Sequence, residues 1–524
     1  VDCERRIQFN FAVSSGYELT VSMEDYLDYA LDLPETRVVG LFLETSRYPE
    51  KLIKAFKKAN QRGIPIVVLK VGRTDLAAEL AVSHSGALAG SDRCYQAVFD
   101  YYGVQRVSDM DELATALVMF AQPHEAASGG LVCLHDSGGE RQLIIDLADG
   151  LKVPLTEVEE STAARLSEML DPGLPAVNPL DAWGAGGPNA SVTMASCFSI
   201  LLTDPGAAMG AVVHDRGPNS EIYSSYLDYL EKAQRASGKP VFLVANRQGS
   251  GADELAISST YQGLPVIDGV TQFLVGARCL LAYRDFQQRA VMKCDVTDQQ
   301  KVDYWKRQLQ DCDYVSESLA SELLRDFGIP MIQSLEVSSL DDLQTAVLNV
   351  GFPLVLKTAV QGIDHKTEVG GVILNIPDQR QLQDAYEDLL QRLGPAVTVA
   401  PMADNNGVEM ILGVSRDEQF GPTVVVGFGG IYAEILSDVA VMLPPFDSAE
   451  VKRVLKSLSM YPLLEGVRGG SPLDIDSYCD VAAKMSAIAL ALSDSVVEID
   501  INPVRLGVKG CIGLDALVVQ EQKN

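Results

Sequence analysis

The stretch "RVVGLFLETSRYPEKLIKAFKKANQRGIPIVVLKVG", residues 37–72, decides the architecture of the chain. Its ends, "RVVGLFLE" and "IPIVVLKVG", are short runs rich in β-branched residues, and "PEKLIKAFKKANQRG" between them carries apolar residues at helical spacing. Buried strands joined by helices of this length build parallel α/β sheets. The break "AQPHEAASGG" closes this first unit, predicted over 1–127. The rhythm then restarts, with "GLVCLHD", "GAAMGAVVHD", "KPVFLVAN" and "LPVID" as four strands separated by helices.

That second pattern predicts another doubly wound domain, of flavodoxin-like type, over 128–290. The polar stretch "MKCDVTDQQKVDYWKRQLQDCDYV" reads as linker plus helix, with the linker placed at 291–314. A third unit is predicted over 315–524, opening with a helix that Ser316 caps and Gly328 stops. The helix "LDDLQTAVLNVG" puts Leu343, Val347 and Val350 on one face, the strand "FPLVLK" follows, and hairpin-like strands mixed with helices complete an α+β domain.

A chain of 524 residues accommodates about three domains of ordinary size, and 47% hydrophobic residues is the composition of a folded globular protein. The 42 basic and 71 acidic side chains leave a formal charge of −29, which repels a polyanion such as nucleic acid over most of the surface. Nine Cys lie scattered with no C-x-x-C pair, which argues against a zinc site or a disulfide framework and for a reducing, cytoplasmic compartment. No apolar run is long enough to span a membrane. The chain opens at Val1 in polar sequence, without the regions of a signal peptide, and reads as part of something longer.

The chemistry is densest in the third unit. "FPLVLKTAVQGIDHKTEVGGVIL" ends a strand near Lys357, crosses a polar loop holding His365 and Lys366, and enters a Gly-Gly turn. A lysine projecting from a strand beside a glycine loop is what holding nucleotide phosphates requires. "GVEMILGVSRDEQFGPTVVVGFGGIYAEIL" supplies Glu409, a glycine run and Glu434. "VVEIDINPVRLGVKGCIGLDALVV" sets Asn502 and Asp515 on neighbouring strands of an expected hairpin, and such oxygen donors suit Mg²⁺ bridging ATP phosphates.

Taken together, "GFPLVLK", "HKTEVGGV", "DEQFGP", "GGIYAE" and "EIDINPV" resemble the ATP-grasp domain of the ADP-forming acyl-CoA synthetases, relatives of succinyl-CoA synthetase. The resemblance extends to the first two units, which implies two flavodoxin-like, succinyl-CoA synthetase-like domains followed by an ATP-grasp domain. It implies ATP/ADP, Mg²⁺ and CoA as ligands, with Lys357 on ATP phosphates, Glu409 and Glu434 in the nucleotide site, and Asn502 and Asp515 on the metal. The family also has an amino-terminal CoA-binding domain, for which this chain carries no counterpart, and Tyr17 in "VSSGYE" replaces an expected Asn.

"GIPIVVLKVGRT" followed by "AVSHSGALAG" is similar to the family segment that carries a phosphorylated histidine, which falls on His84. Imidazole suits this relay because it is nucleophilic when neutral and leaves readily afterwards. Phosphohistidine carries about two negative charges and needs donors that glycine loops and helix starts provide. "HDSGGERQLIIDLA" offers such a start at Ser137, Gly138 and Gly139. The resemblance further implies that Glu44, at the end of "VVGLFLE", orients His84 and that His365 relays the phosphoryl group.

In "AVNPLDAWGAGGPN", Asn178 and Asp181 match a turn near the family's acid site, and Trp183 follows as a wall of the acyl pocket. An indole face can also hold a cationic head group, and an elimination from such a substrate would need a base, for which Glu221 in "DRGPNSEIY" is the candidate. The expected activity is ADP-forming ligation of a small carboxylic acid to CoA, by a homo-oligomer, with neither nucleic acid nor membrane as partner. Two alternatives stay open: a lyase of the same family that ligates dimethylsulfoniopropionate to CoA and releases dimethyl sulfide, and a non-catalytic acyl-CoA sensor. A carboxylate–amine ligase of ATP-grasp type would leave the first two domains without a role.

Overall fold

A computed structural model of the chain describes residues 6–74, 91–217, 222, 224–250, 253–295, 297–312, 314–363, 366–404, 406–430, 436, 438–467 and 469–521. The chain divides into two compact units, one formed by Val1–Ala89 and Phe99–Ala290 and the other by Gly90–Val98 and Val291–Asn524.

The first unit begins with helix α1 (Met23–Asp32), strand β1 (Val39–Leu43), helix α2 (Pro49–Arg62) and strand β2 (Ile66–Lys70). Helix α3 (Asp92–Tyr102), of which the part up to Val98 counts with the second unit, leads to strand β3 (Gln105–Val107) and helix α4 (Met110–Phe120). The stretch 37–72 is therefore the strand–helix–strand its pattern predicts. Pro49 sits in the first turn of α2, and Gly63 ends the helix at a φ of +65°, which a residue with a Cβ adopts only with strain. Strands β1, β2 and β3 pair in parallel in that order. β3 has only three residues, too few to show a period in the sequence.

The second sheet of this unit comprises β4 (Gly130–His135), β5 (Leu180–Asp181), β6 (Ala207–His214), β7 (Val241–Ala245) and β8 (Val266–Asp268). Helices α5 (Gly138–Leu151), α6 (Glu160–Met169), α7 (Ala190–Leu202), α8 (Ser224–Ser237), α9 (Glu254–Tyr261) and α10 (Val270–Gln287) connect and cover it. All its strands are parallel, in the order β5-β4-β6-β7-β8. One face packs Leu131, Cys133 and Met209 on Ile144 of α5 and Phe273 of α10, and the other packs Val132, Leu134 and Val212 on Phe198 of α7 and Leu230 of α8. The two-residue β5 was not expected; it comes from the "NPLD" turn. The strand order reverses between β4 and β6, and open α/β sheets bind ligands in the crevice beyond the carboxyl ends at such a point.

The second unit holds α11 (Gln299–Asp311), α12 (Glu317–Asp326), β9 (Leu335–Val337), α13 (Leu340–Val350), β10 (Leu354–Thr358) and β11 (Val372–Ile376). After these come α14 (Gln379–Arg392), β12 (Val397–Pro401), β13 (Val408–Asp417), β14 (Gly421–Phe428) and β15 (Val439–Met442). The chain closes with α15 (Ser448–Leu455), α16 (Ile475–Ala491), β16 (Val496–Leu506), β17 (Cys511–Gly513) and β18 (Leu517–Gln520). An antiparallel sheet in the order β11-β10-β12-β9 is covered by α13 and α14 through Leu343, Val347, Leu382 and Leu389. A second sheet runs β15-β14-β13-β16-β17, with β18 also on β16.

The stretch read as linker plus helix contains α11, whose Val302, Trp305 and Leu309 are buried in the core of this unit. The Trp305 indole N–H donates to Asp326 Oδ2 at 2.9 Å. Polar residues dominate that stretch because only three positions of α11 face inward. Ser316 caps α12 as expected, its hydroxyl accepting from the Leu319 N–H. Among the described residues no helix is long and apolar enough to cross a membrane.

Candidate active site

Within the second unit, β10, the loop after it, the first turn of α12 and the β17–β18 link converge on one cluster. Lys357 lies on β10 with its side chain 10% exposed; its Nζ sits 3.2 Å from Glu317 Oε1, 3.2 Å from Asp515 Oδ2 and 2.8 Å from the Leu514 carbonyl. Lys366 reaches the same two carboxylates, Glu317 Oε2 at 2.5 Å and Asp515 Oδ1 at 3.4 Å. Burial disfavours the Lys366 ammonium, but Asp515 and Glu317 more than offset this and its pKa is raised. Glu317 is present because Ser316 caps the helix, which puts an acid at the positive end of the dipole, and its side chain is only 8% exposed.

Asp515 falls in the link after β17, rather than on a hairpin strand as expected, because Cys511–Gly513 is all of β17 that pairs with β16. Asn502 lies on β16, where its side chain hydrogen-bonds Asp500. Burial pushes Asp500 up to about 6, with Glu498 and Asp515 adding to the rise and Asn502 opposing it. Glu498, Asp500 and Asn502 alternate along β16, and that spacing is the signal that would have found Asp500 in the sequence. Among the described residues no group of three or more His, Cys, Asp or Glu is placed to hold a metal. Mg²⁺ needs no such cage, since it is bound through one or two carboxylates plus substrate phosphates, and the oxygen donors Asp515, Asn502 and Asp500 fit that role.

Glu409 is occupied elsewhere in this unit. Its Oε1 accepts from Arg505 Nη2 at 2.8 Å, its carbonyl accepts from the Gly429 N–H, and a Cβ at Gly430 would lie 2.3 Å from its Oε2. The glycine run is thus the close approach of a turn to a carboxylate. His84, His365, Glu221 and Glu434 lie outside the described residues.

In the first unit, Glu44 directly follows β1, and its carbonyl accepts from Lys70 Nζ at 2.7 Å. Lys70, 3% exposed, also donates to the Val71 carbonyl and ties the ends of β1 and β2 together. Ser137, Gly138 and Gly139 form the start of α5 at the carboxyl end of β4, and the Ser137 side chain makes no capping bond there. Asp181, at the end of β5, stands beside them, with its Oδ2 3.3 Å from where a Gly138 Cβ would lie. The structure thereby unites two residue groups that the sequence treats separately.

Asn178 is committed to the main chain: its Oδ1 accepts from the Cys133 N–H at 2.8 Å, and its amide donates to the Leu131 and Thr156 carbonyls, both at 2.9 Å. Trp183 is 42% exposed in the turn just after β5. Further groups at this end carry no motif that singles them out in the sequence. His135 and His214 terminate β4 and β6, 0% and 3% exposed, and Asp136, Glu140, Tyr226 and Asn246 surround the same crevice. Their signal is the repeated His-Asp that ends both "VCLHD" and "AVVHD".

Residues 308–519 match the ATP-grasp domain family, and residues 2–120 match the succinyl-CoA ligase like flavodoxin domain. The acetate–CoA ligase (ADP-forming) I of Archaeoglobus fulgidus is 27% identical over 98% of this chain and 74% of its own length. A trans-feruloyl-CoA synthase from an unknown prokaryotic organism is 28% identical over 99% of this chain and 74% of its own. The β subunit of the Pyrococcus furiosus acetate–CoA ligase (ADP-forming) I is 32% identical, covering 39% of this chain and 90% of the subunit. A solved structure of the Ca. Korarchaeum cryptofilum acetyl-coenzyme A synthetase 1, in complex with coenzyme A and a nucleotide analogue, is 30% identical over 42% of this chain and 98% of that one, at a TM-score of 0.39. With a flavodoxin-like domain, an ATP-grasp domain and these relatives, the chain belongs to the ADP-forming acetate–CoA ligase family of acyl-CoA synthetases.

Proposed function

We propose that this protein joins a small carboxylic acid to CoA at the expense of ATP, through phosphohistidine and acyl phosphate intermediates. The observation that carries the reading is the buried cluster of Lys357, Lys366, Glu317 and Asp515. Two ammonium groups fixed side by side are a seat for a polyphosphate, and two carboxylates hold them there until it arrives. Lys357 and Lys366 then bind phosphate oxygens, Glu317 keeps the lysines parallel, and Asp515 with Asn502 is the donor set for Mg²⁺. That ion, when bound, offsets the charge of the phosphates.

In the proposed cycle a nitrogen of His84 takes the γ-phosphoryl group and ADP leaves, with His365 as a relay. The phosphohistidine is then seated at the start of α5, where main-chain N–H groups of Ser137, Gly138 and Gly139, which the Ser137 side chain does not cap, receive its charge. A carboxylate oxygen of the acid attacks phosphorus, His84 departs, and the resulting acyl phosphate loses inorganic phosphate to the CoA thiol, whose proton passes to solvent or a nearby base. Glu44 orients His84, Glu409 and Glu434 complete the nucleotide site, and Asp181 and Trp183 border the acid. The reading places the protein in the cytoplasm as a homo-oligomer.

The test is incubation of full-length protein with γ-labelled ATP, comparing wild type with His84→Ala and His365→Ala. Acid-labile, base-stable label is expected in wild type and its loss in His84→Ala; label that persists in His84→Ala overturns the assignment. A panel of acetate, 4-hydroxybutyrate and ferulate with CoA then sets the acid, and release of dimethyl sulfide from dimethylsulfoniopropionate would favour the lyase instead.

A further inference from the structure

The loop that leads from β1 into α2 carries Glu44 at its start and is gripped by two buried polar side chains. Lys70, at the end of β2, donates from Nζ to the Glu44 carbonyl at 2.7 Å. Glu24, in the first turn of α1 and 1% exposed, holds the far side of the loop. Its Oε1 accepts from the hydroxyl of the buried Ser46 at 2.5 Å and from the Tyr48 N–H at 3.3 Å. Tyr48 is the N-cap of α2 and its own side chain makes no capping bond, so the carboxyl of another helix fixes the point where α2 begins.

Holding the elements together does not require these groups. The starts of α1 and α2 are already joined by Lys51 and Asp25 at 2.8 Å, and Lys58 reaches Asp28 and Asp32 further along. The parallel ladder of β1 and β2 runs through the pair Leu43 and Lys70 and ends with the Val71 N–H on the Leu43 carbonyl at 3.0 Å. Burying a carboxyl and an ammonium is unfavourable where apolar side chains would fill the same space. Glu24 Oε2 makes that cost visible, since it is buried with no hydrogen-bond partner among the described residues. What the two side chains add is confined to the loop, and Glu44, half-buried, is the residue between their anchor points that can do chemistry.

We propose that Glu24 and Lys70 are positioning residues for the phosphoryl relay: they fix the main chain around Glu44, so that its carboxylate meets the His84 imidazole at a set place and angle. The inference rests on the reading of Glu44 as the carboxylate that orients His84, and adds two residues that act through it. Neither touches the reacting atoms. Lys70 fixes the carbonyl of Glu44 itself, and Glu24 fixes the loop further on at Ser46 and Tyr48. Both bonds to Glu24 end on one oxygen, so its role is that of an acceptor in the right place. A displacement of about 1 Å in an orienting group slows a reaction by up to about a hundredfold.

Rapid-quench labelling of full-length protein with γ-labelled ATP tests this, with the rate measured at several ATP concentrations. Glu24→Ala and Lys70→Met should each slow labelling by about tenfold to a hundredfold, while the ATP concentration that gives half the maximal rate stays as in wild type. Glu24→Gln keeps the acceptor and should keep the wild-type rate. In a Glu44→Ala background, Glu24→Ala should add no further loss, because its effect passes through Glu44. Should Glu24→Ala not fold, Ser46→Ala, which removes one donor to the carboxyl, takes its place in the same cycle. Losses that add in the double variant, or a Glu24→Gln as slow as Glu24→Ala, overturn the proposal. Slow labelling in Glu44→Ala with wild-type rates in Glu24→Ala and Lys70→Met sinks the positioning roles alone, whereas a wild-type rate in Glu44→Ala sinks the reading of Glu44 on which they rest.

Discussion

The two clusters handle buried charge in opposite ways. In the second unit Lys357 and Lys366 meet Glu317 and Asp515, and every charge has an opposite one within 3.4 Å. At the carboxyl ends of β4 and β6 in the first unit, burial and then the charges of Asp136 and Asp215 raise Glu140, the neighbouring imidazoles of His135 and His214 are held neutral by burial, and Arg247, 3.2 Å from Asp215, offsets part of that negative charge. Pairing keeps groups ionised inside a protein, and crowding forces one to keep its proton. A site of the first kind exchanges internal partners for an anionic ligand. A site of the second kind exchanges protons.

The largest expected effect comes from breaking the paired cluster. Glu317→Ala leaves two largely buried ammonium groups with Asp515 as their one shared carboxylate, one charge short of compensation, and should cost about 3–5 kcal/mol in denaturant unfolding. Added MgATP should restore more stability to the variant than to wild type, since phosphates replace the lost carboxylate; equal stabilisation of both would break the comparison. Asn178→Ala comes next. It frees one N–H and two carbonyls along β4 and Thr156, and should destabilise the first unit by roughly 2–4 kcal/mol. A loss below that, with altered acid preference, would mean that Asn178 acts on the substrate.

Smaller, pH-dependent effects sharpen the contrast. Asp500 sits at about 6 against an ordinary value of 3.8, so the folded chain holds that proton more tightly than the unfolded chain. Its contribution is greatest below pH 3.8, declines as pH rises to about 6, and stays reduced above that. Asp500→Asn should therefore be more stable than wild type at pH 7 but gain progressively less on acidification towards pH 3.8. Glu140→Gln should behave likewise over the window from 4.5 to about 7. Denaturation midpoints measured across these windows check both, and a gain that grows on acidification refutes the sign. The smallest effect is expected at Trp183, whose exposure predicts a stability change within about 0.5 kcal/mol on replacement by Ala. Any change in kcat/KM between acids in that variant then reports contact with substrate.

Much of this organisation is legible in the order of the residues. Residues 37–72 announce strand, helix and strand because burial on both faces demands the unbroken apolar run of β2 and a helix shows its own spacing, and Ser316 announces a helix start because its hydroxyl is needed there. Lys357 and Asp515 are visible as chemistry. Glu317 is not, because an acid in the first turn of a helix is ordinary until two lysines from distant sequence arrive beside it. Trp305 is hidden in the same way, since one buried face of α11 is a minority of a polar segment.

Fold class, family and the residue types of each site are set in the linear chain, because periodicity, caps and motifs are local properties written in neighbouring residues. The protonation and partnership of those residues arise only when the chain is folded. Glu140 is an ordinary glutamate until β4, β6, β7 and α8 bring burial, Asp136 and Asn246 to it, and Asn178 is a motif residue until its amide meets the backbone of β4. Electrostatics depends on distance and solvent exposure, and neither is encoded by position along the chain.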